Sequence, residues 1–91
     1  MIRWIDKDPD AVAVEYELDF GDAIGADDAL VSTAWDAPSA LLLEDRDPIG
    51  NVARIAISGG VAGEVYVVNC AATLDSGQVI PKGVMLKVRQ Q

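Results

Sequence analysis

Ala11-Val12-Ala13-Val14-Glu15-Tyr16-Glu17-Leu18-Asp19-Phe20 is the stretch that decides the fold. Val12, Val14, Tyr16, Leu18 and Phe20 alternate with Ala13, Glu15, Glu17 and Asp19. A period of two over these residues describes a strand with one face in a core and the other in water. Wound as a helix, the same segment would scatter its acidic side chains around the whole circumference.

Downstream, the pattern recurs between turn signals. Gly21 to Asp28 reads as a connection, rich in glycine and aspartate. Leu30 to Trp35 reads as a second strand, with Val31, Thr33 and Trp35 on one face and Pro38 ending it. Leu41, Leu42 and Leu43 form a short apolar run before a predicted loop from Glu44 to Asn51, which holds Pro48 and Gly50. Val52 to Ser58 is the next strand, with Ile55 and Ile57 sharing a face. Val65 to Leu74 follows, Ser76-Gly77 turns the chain, and Val84, Leu86 and Val88 alternate with Met85, Lys87 and Arg89 in a closing strand. Pro81, near the start of that strand, fits an edge or a bulge. Six or seven short strands without a helical period predict an all-β chain: a single antiparallel β-sandwich, immunoglobulin-like at this length. Residues 1–10 are assigned to an N-terminal arm and acidic loop, and residues 11–91 to the sandwich.

A sharper signal lies at the glycine-rich corner of Gly59, Gly60 and Gly63. Tyr66 opens the strand that follows and shares a face with Val68 and Cys70. A tyrosine so placed, with its hydroxyl turned back to the backbone upstream, is the tyrosine corner of such sandwiches. The plainer reading is a ring that fills the sandwich end. These glycines serve turn geometry and not phosphate binding, since no lysine-serine or lysine-threonine pair and no helix follow them.

Composition narrows the chemistry. The chain has 91 residues, enough for one domain that buries about two-thirds of its unfolded surface. Apolar residues reach 51%, which excludes intrinsic disorder. Histidine is absent and cysteine occurs once, so the usual general base, a disulfide and a zinc cluster are all missing. Cys70 therefore reads as a small hydrophobe on the inward face of its strand. A net charge of −8 argues against nucleic acid as a partner. No apolar run is long enough to span a membrane, and no basic-then-apolar leader pattern opens the chain. The charge is uneven: residues 1–47 carry thirteen acidic and three basic side chains, and residues 48–91 carry two acidic and four basic ones. Acidic and less acidic faces would suit docking against other proteins, although acidic residues also keep an apolar domain dissolved.

Asp6, Asp8, Asp10 and Glu17 occupy the first, third, fifth and twelfth places of a calcium-loop pattern. The sixth place needs glycine and holds Ala11, and no helical period flanks the loop, so a metal site is not expected. Ile2, Trp4 and Ile5 precede the first strand. They either project as a contact surface, with Asp6, Asp8 and Asp10 beside them, or fold back as an extra edge strand. The charged, proline-containing loop after them favours projection.

Lys7-Asp8-Pro9-Asp10-Ala11-Val12, with Tyr16 and Asp19-Phe20, resembles the opening of a family of small tailed-bacteriophage proteins labelled phage fiber-tail adaptors, which are immunoglobulin-like virion components. The resemblance continues through Asp28 with Leu30, Ser32 to Trp35, Pro38, Ser58-Gly59-Gly60, Gly63, Tyr66 and Gly77, and ends on Leu86 and Val88. Phe20 stands where the family tends to have tryptophan, and residues 78–83 lack an Arg/Asp-rich character. The resemblance implies a non-enzymatic structural protein of a phage particle, an adaptor joining neck or tail components to a fibre or to neighbouring subunits. Its partners would be other phage structural proteins, met in multiple symmetric copies, with no cofactor, nucleic acid or membrane. Its place would be the virion neck or tail, after synthesis in the host cytoplasm. The competing class is a receptor- or glycan-binding module on the virion surface. That needs exposed aromatics, and of five aromatic residues Tyr16, Phe20 and Tyr66 read as structural.

Overall fold

Alternating apolar positions become seven strands: β1 (Ile2–Arg3), β2 (Val14–Asp19), β3 (Leu30–Asp36), β4 (Leu41–Ile49), β5 (Val52–Gly59), β6 (Val65–Leu74) and β7 (Val79–Lys87). The computed structural model describes residues 2–90; positions 1 and 91, the outer ends of the two ranges assigned from sequence, lie outside them. Two sheets face each other, ordered β1-β7-β6-β3 and β2-β5-β4. Constant-type immunoglobulin domains place their first strand in one sheet with the second, fourth and fifth. Here the first strand lies beside the last instead, and the remaining order is the same. The pairing is antiparallel throughout except for β1, which runs parallel to β7 over Ile2↔Val84 and Arg3↔Met85.

The core forms where the inward rows meet. Leu18 and Phe20 of the β2 region and Ala53, Ile55 and Ile57 of β5 face Val68, Cys70 and Ala72 of β6 and Val84, Leu86 and Val88 of the β7 region. Burying a large aliphatic side chain contributes about 1.5–3 kcal/mol, so this two-sheet seam is the main stabilising term. Pro81 lies opposite Ala71 on β7, beyond the two residues that β1 covers, so its missing N–H interrupts no ladder on the outer side.

Four expectations change in the structure. Val12 is 79% exposed and precedes the strand, because Ala13 adopts a positive φ of 53° and breaks the alternation. Val31 faces solvent, because a register shift between Leu30 and Ser32 puts Leu30 into the core. The predicted loop from Glu44 to Asn51 is mostly strand. β4 continues through it with a shift between Arg46 and Ile49, and the turn is confined to Gly50 and Asn51. As the outer strand of its sheet, β4 carries polar residues and Pro48 without losing its pairing to β5.

The fourth change concerns the arm, which folds back instead of projecting. The Trp4 N–H donates to the Met85 carbonyl at 2.9 Å, and the Lys7 N–H donates to the Lys87 carbonyl at 2.9 Å. The Trp4 ring is 9% exposed and stacks on Tyr16, with centroids 4.7 Å apart. A tryptophan in water is costly, and the open margin between β7 and β2 gives it a place to bury. Replacing Trp4 with Ala should therefore lower unfolding free energy by roughly 3–5 kcal/mol in urea titration. A loss under about 1 kcal/mol would return the arm to solvent.

Candidate functional site

The polar groups that link the two sheets lie along the side where β7 faces β2, from Lys7 at one end to Lys82 at the other. Lys7 is the only cation among the residues from Trp4 to Ala11. Its side chain is 1% exposed, which a charge tolerates only when its donors are satisfied. Three carbonyls satisfy them: Asp8 at 2.8 Å, Ala11 at 2.7 Å and Gly59 at 2.9 Å. The backbone of Lys7 joins the β7 side, and its ammonium reaches the end of β5, so one residue spans both sheets. Burial lowers the Lys7 pKa, while the charges of Asp8 and Asp10 act to raise it.

Two more side chains cross the same way. Trp4 Nε1–H donates to the Glu17 carbonyl at 2.8 Å, and Lys82 Nζ donates to the Asp19 carbonyl at 2.9 Å while lying 5.1 Å from the Phe20 ring centre. In return the Tyr16 hydroxyl donates to the Ile5 carbonyl at 3.1 Å. Burial, assisted by the charge of Asp6, pushes the Tyr16 pKa up and keeps that donor protonated.

The glycine corner closes the end at which Lys7 lies. The Val61 N–H donates to the Tyr66 hydroxyl oxygen at 2.9 Å, five residues upstream, which is the geometry of a tyrosine corner. Gly59 supplies the carbonyl that holds Lys7. Gly60 has φ +97°, and a Cβ there would lie 2.6 Å from Val88 Cγ2. Gly63 has φ +89° and donates its N–H to the Val88 carbonyl at 2.8 Å.

Ile2 and Ile5, two of the contact candidates, are 43% and 86% exposed. Trp4 is core and leaves that group. Asp6 is half-buried and pairs with Arg3 at 3.2 Å. Asp8 Oδ1 accepts the Asp10 N–H at 2.8 Å, an Asx turn around the ammonium of Lys7. The segment that mimicked a calcium loop thus encloses a lysine. Among the described residues no group of three or more metal-ligating side chains forms.

Sequence reasoning missed Lys7, Lys82 and Asp28. Asp28 accepts the Ser76 hydroxyl at 2.6 Å and the Ala29 and Ser76 N–H groups, tying the 21–29 connection to the β6–β7 turn. Those hydrogen bonds, Ser76 Oγ foremost, lower its pKa. For Lys7 the sequence signal is the stretch Lys7-Asp8-Pro9-Asp10, a single cation set among carboxylates.

None of this arrangement prepares a nucleophile. Cys70 is buried on β6, and burial pushes its thiol up to about 11, away from the reactive thiolate. Trp4, Tyr16, Phe20 and Tyr66 are buried and Trp35 packs against the core, so no aromatic platform for a sugar faces solvent among the described residues. Polar residues and tight turns here hold strands together, and the outer surfaces are left for contact. The fold and its fastenings define an immunoglobulin-like structural module. Over residues 7–87 the chain matches the family described as Podophage GP4 fiber-tail adaptor protein gp77, and it belongs to that family. No curated protein matches it.

A titration follows from Cys70. Its folded pKa is raised, so the native state keeps a proton that the unfolded chain releases above about pH 9. Stability from this group is full below pH 9 and is lost as pH rises towards about 11. Urea midpoints of wild type should fall across that window more steeply than those of Cys70→Ala. Parallel profiles would show that the thiol does not titrate differently in the two states.

Proposed function

We propose that the chain is a non-enzymatic adaptor in a phage particle, joining neck or tail components to a fibre or to neighbouring subunits in several symmetric copies. The family match over residues 7–87 carries this reading. The charge distribution supports it. The strands of the β2-β5-β4 sheet hold six carboxylates and two guanidiniums, while those of the β1-β7-β6-β3 sheet hold three cations and one carboxylate. Two sheet faces of different charge can meet different neighbours, and complementary potentials would orient each encounter. Ile2 and Ile5, with Asp6, Asp8 and Asp10, remain the contact candidates of the N-terminal segment. Holding that segment against the sandwich removes most of the ordering cost, roughly 1–2 kcal/mol per residue, that a free arm would incur on docking.

The reading is tested by particles made without the chain. Mass spectrometry of wild-type virions should detect it at a fixed multiple of the neck or tail subunits. Particles lacking it should also lack the fibre or the next subunit outward. Its absence from purified wild-type virions would end the adaptor reading.

A further inference from the structure

The two sheets have four margins, and three of them are closed to a further strand. β1 and the bridge at Lys7 cover β7 around Val84 to Val88, and Pro81 withholds a donor from what they leave open. On β2, Trp4 and Lys82 occupy the carbonyls of Glu17 and Asp19. β4 carries Glu44, Asp45, Arg46, Asp47 and Pro48 with a register shift, all of which oppose edge-to-edge pairing. The margin of β3 differs. Val31-Ser32-Thr33-Ala34-Trp35 is uncharged and lacks proline, and its register shift lies at the start, between Leu30 and Ser32.

The direction of its peptide groups follows from the neighbouring ladder. The Leu74 N–H bonds to the Gln78 carbonyl and the Val88 N–H to the Glu64 carbonyl. Even-numbered residues of β6 therefore bond towards β7 and odd-numbered ones towards β3. The Asp75 N–H, bonded to the Ala29 carbonyl, fits the same alternation. Beyond the shift, Ala34 and Asp36 stand opposite Ala71 and Asn69 and bond to β6. Thr33 and Trp35, opposite Ala72 and Cys70, turn their N–H and C=O groups to the open margin. Their side chains share the core side with Ala72 and Cys70 yet are only half-buried, as is Leu43 on β4.

Charge distinguishes the possible occupants. Leu30 N–H reaches Asn51 Oδ1 at 3.4 Å and residues 37–40 join the other ends, so β3 and β4 run antiparallel along this side. Asp36 flanks the margin on the outer face of β3. Asp45, opposite the buried Ile55, lies on the core side of β4 and is exposed at the opening. Neither carboxylate has an ion pair among the described residues, and Arg46 holds Glu44 and Glu15 on the other face of its sheet. A second copy would bring like charges together here, whereas a basic segment meets countercharge.

We propose that β3 accepts an extended segment of another virion protein as a fifth strand of the β1-β7-β6-β3 sheet. The N–H and C=O groups of Thr33 and Trp35 supply the main-chain bonds, as in strand addition at a sheet edge. An apolar side chain of the segment covers Trp35 and Leu43, and a lysine or arginine lies beside Asp36 or Asp45. This occupant rests on the adaptor reading and gives one of its partners a chemistry.

The test places the photocrosslinker p-benzoylphenylalanine at Ala34, an exposed position on the outer face of β3. Irradiated virions are digested and the linked peptides sequenced. The expected product joins this chain to a different virion protein, at a peptide with lysine or arginine within a few residues of the link. Thr33→Pro removes an outward N–H and no bond to β6, so it should fold and enter particles roughly tenfold less. A variant carrying Asp36→Lys and Asp45→Lys changes only exposed side chains; it should unfold near the wild-type temperature and show a similar deficit, and it decides the matter if Thr33→Pro fails to fold. A link to a second copy, a link to a segment without basic residues, no link at all, or normal incorporation of either folded variant would overturn the inference while wild type is present in virions. Absence of wild type from virions would instead remove the adaptor reading, and this inference with it.

Discussion

The buried ammonium of Lys7 is the constraint around which the N-terminal end of the sandwich is built. A small two-sheet domain has open sides, and apolar packing alone fixes neither the separation of its sheets nor the path of its first residues. Lys7 settles both, since its backbone bridges to the β7 side and its side chain ends on the carbonyl of Gly59 in the opposite sheet. Two further carbonyls, from Asp8 and Ala11, come from the loop itself, so the loop is wrapped around its own cation. Each such charge-assisted bond contributes about 1.5–3 kcal/mol against an unpaired alternative. The acidic residues around it then have a structural sense, because they partly restore the charge stability that burial removes.

Other features follow from this anchoring. With Lys7 fixed, Trp4 is delivered to the open side between β7 and β2, where it stacks on Tyr16 and caps Glu17. Lys82 performs the same capping two residues further along β2, at Asp19. The glycine corner accommodates the result, since Gly60 leaves room for Val88 and Gly63 bonds to its carbonyl. The family match begins at Lys7, so it includes the anchor and the corner, while Ile2, Trp4, Ile5 and Asp6 lie ahead of it. An adaptor profits from such a design: a stiff frame carries the exposed groups, and docking need not order a loose tail.

How much of this was legible depended on where water lies. β6 runs from Val65 to Leu74, as its uninterrupted alternation indicated, because one of its faces is core along its whole length. β4 was read as a loop beyond Leu43 because an outer strand tolerates charge and proline, which imitate a turn. The positive φ of Ala13 leaves no trace in residue type, so Val12 was placed in a strand that it precedes. The two residues of β1 are too few for a period, and a tryptophan beside an acidic loop reads equally as exposed or buried. Lys7 was hidden for a different reason. A lysine among aspartates looks like a solvated ion, and only the three-dimensional approach of Gly59, 52 positions away, shows it to be an internal one.

The central claim is that the Lys7 ammonium fastens this end of the sandwich. Methionine is close to lysine in length and fills the same space with an apolar chain, so Lys7→Met removes the hydrogen bonds while keeping most of the packing. Urea unfolding of this variant against wild type is the most direct measurement. The loss predicted is about 3 kcal/mol, since buried carbonyls are left without donors. A variant within about 0.5 kcal/mol of wild type would contradict the account, because surface substitutions alone produce changes of that size.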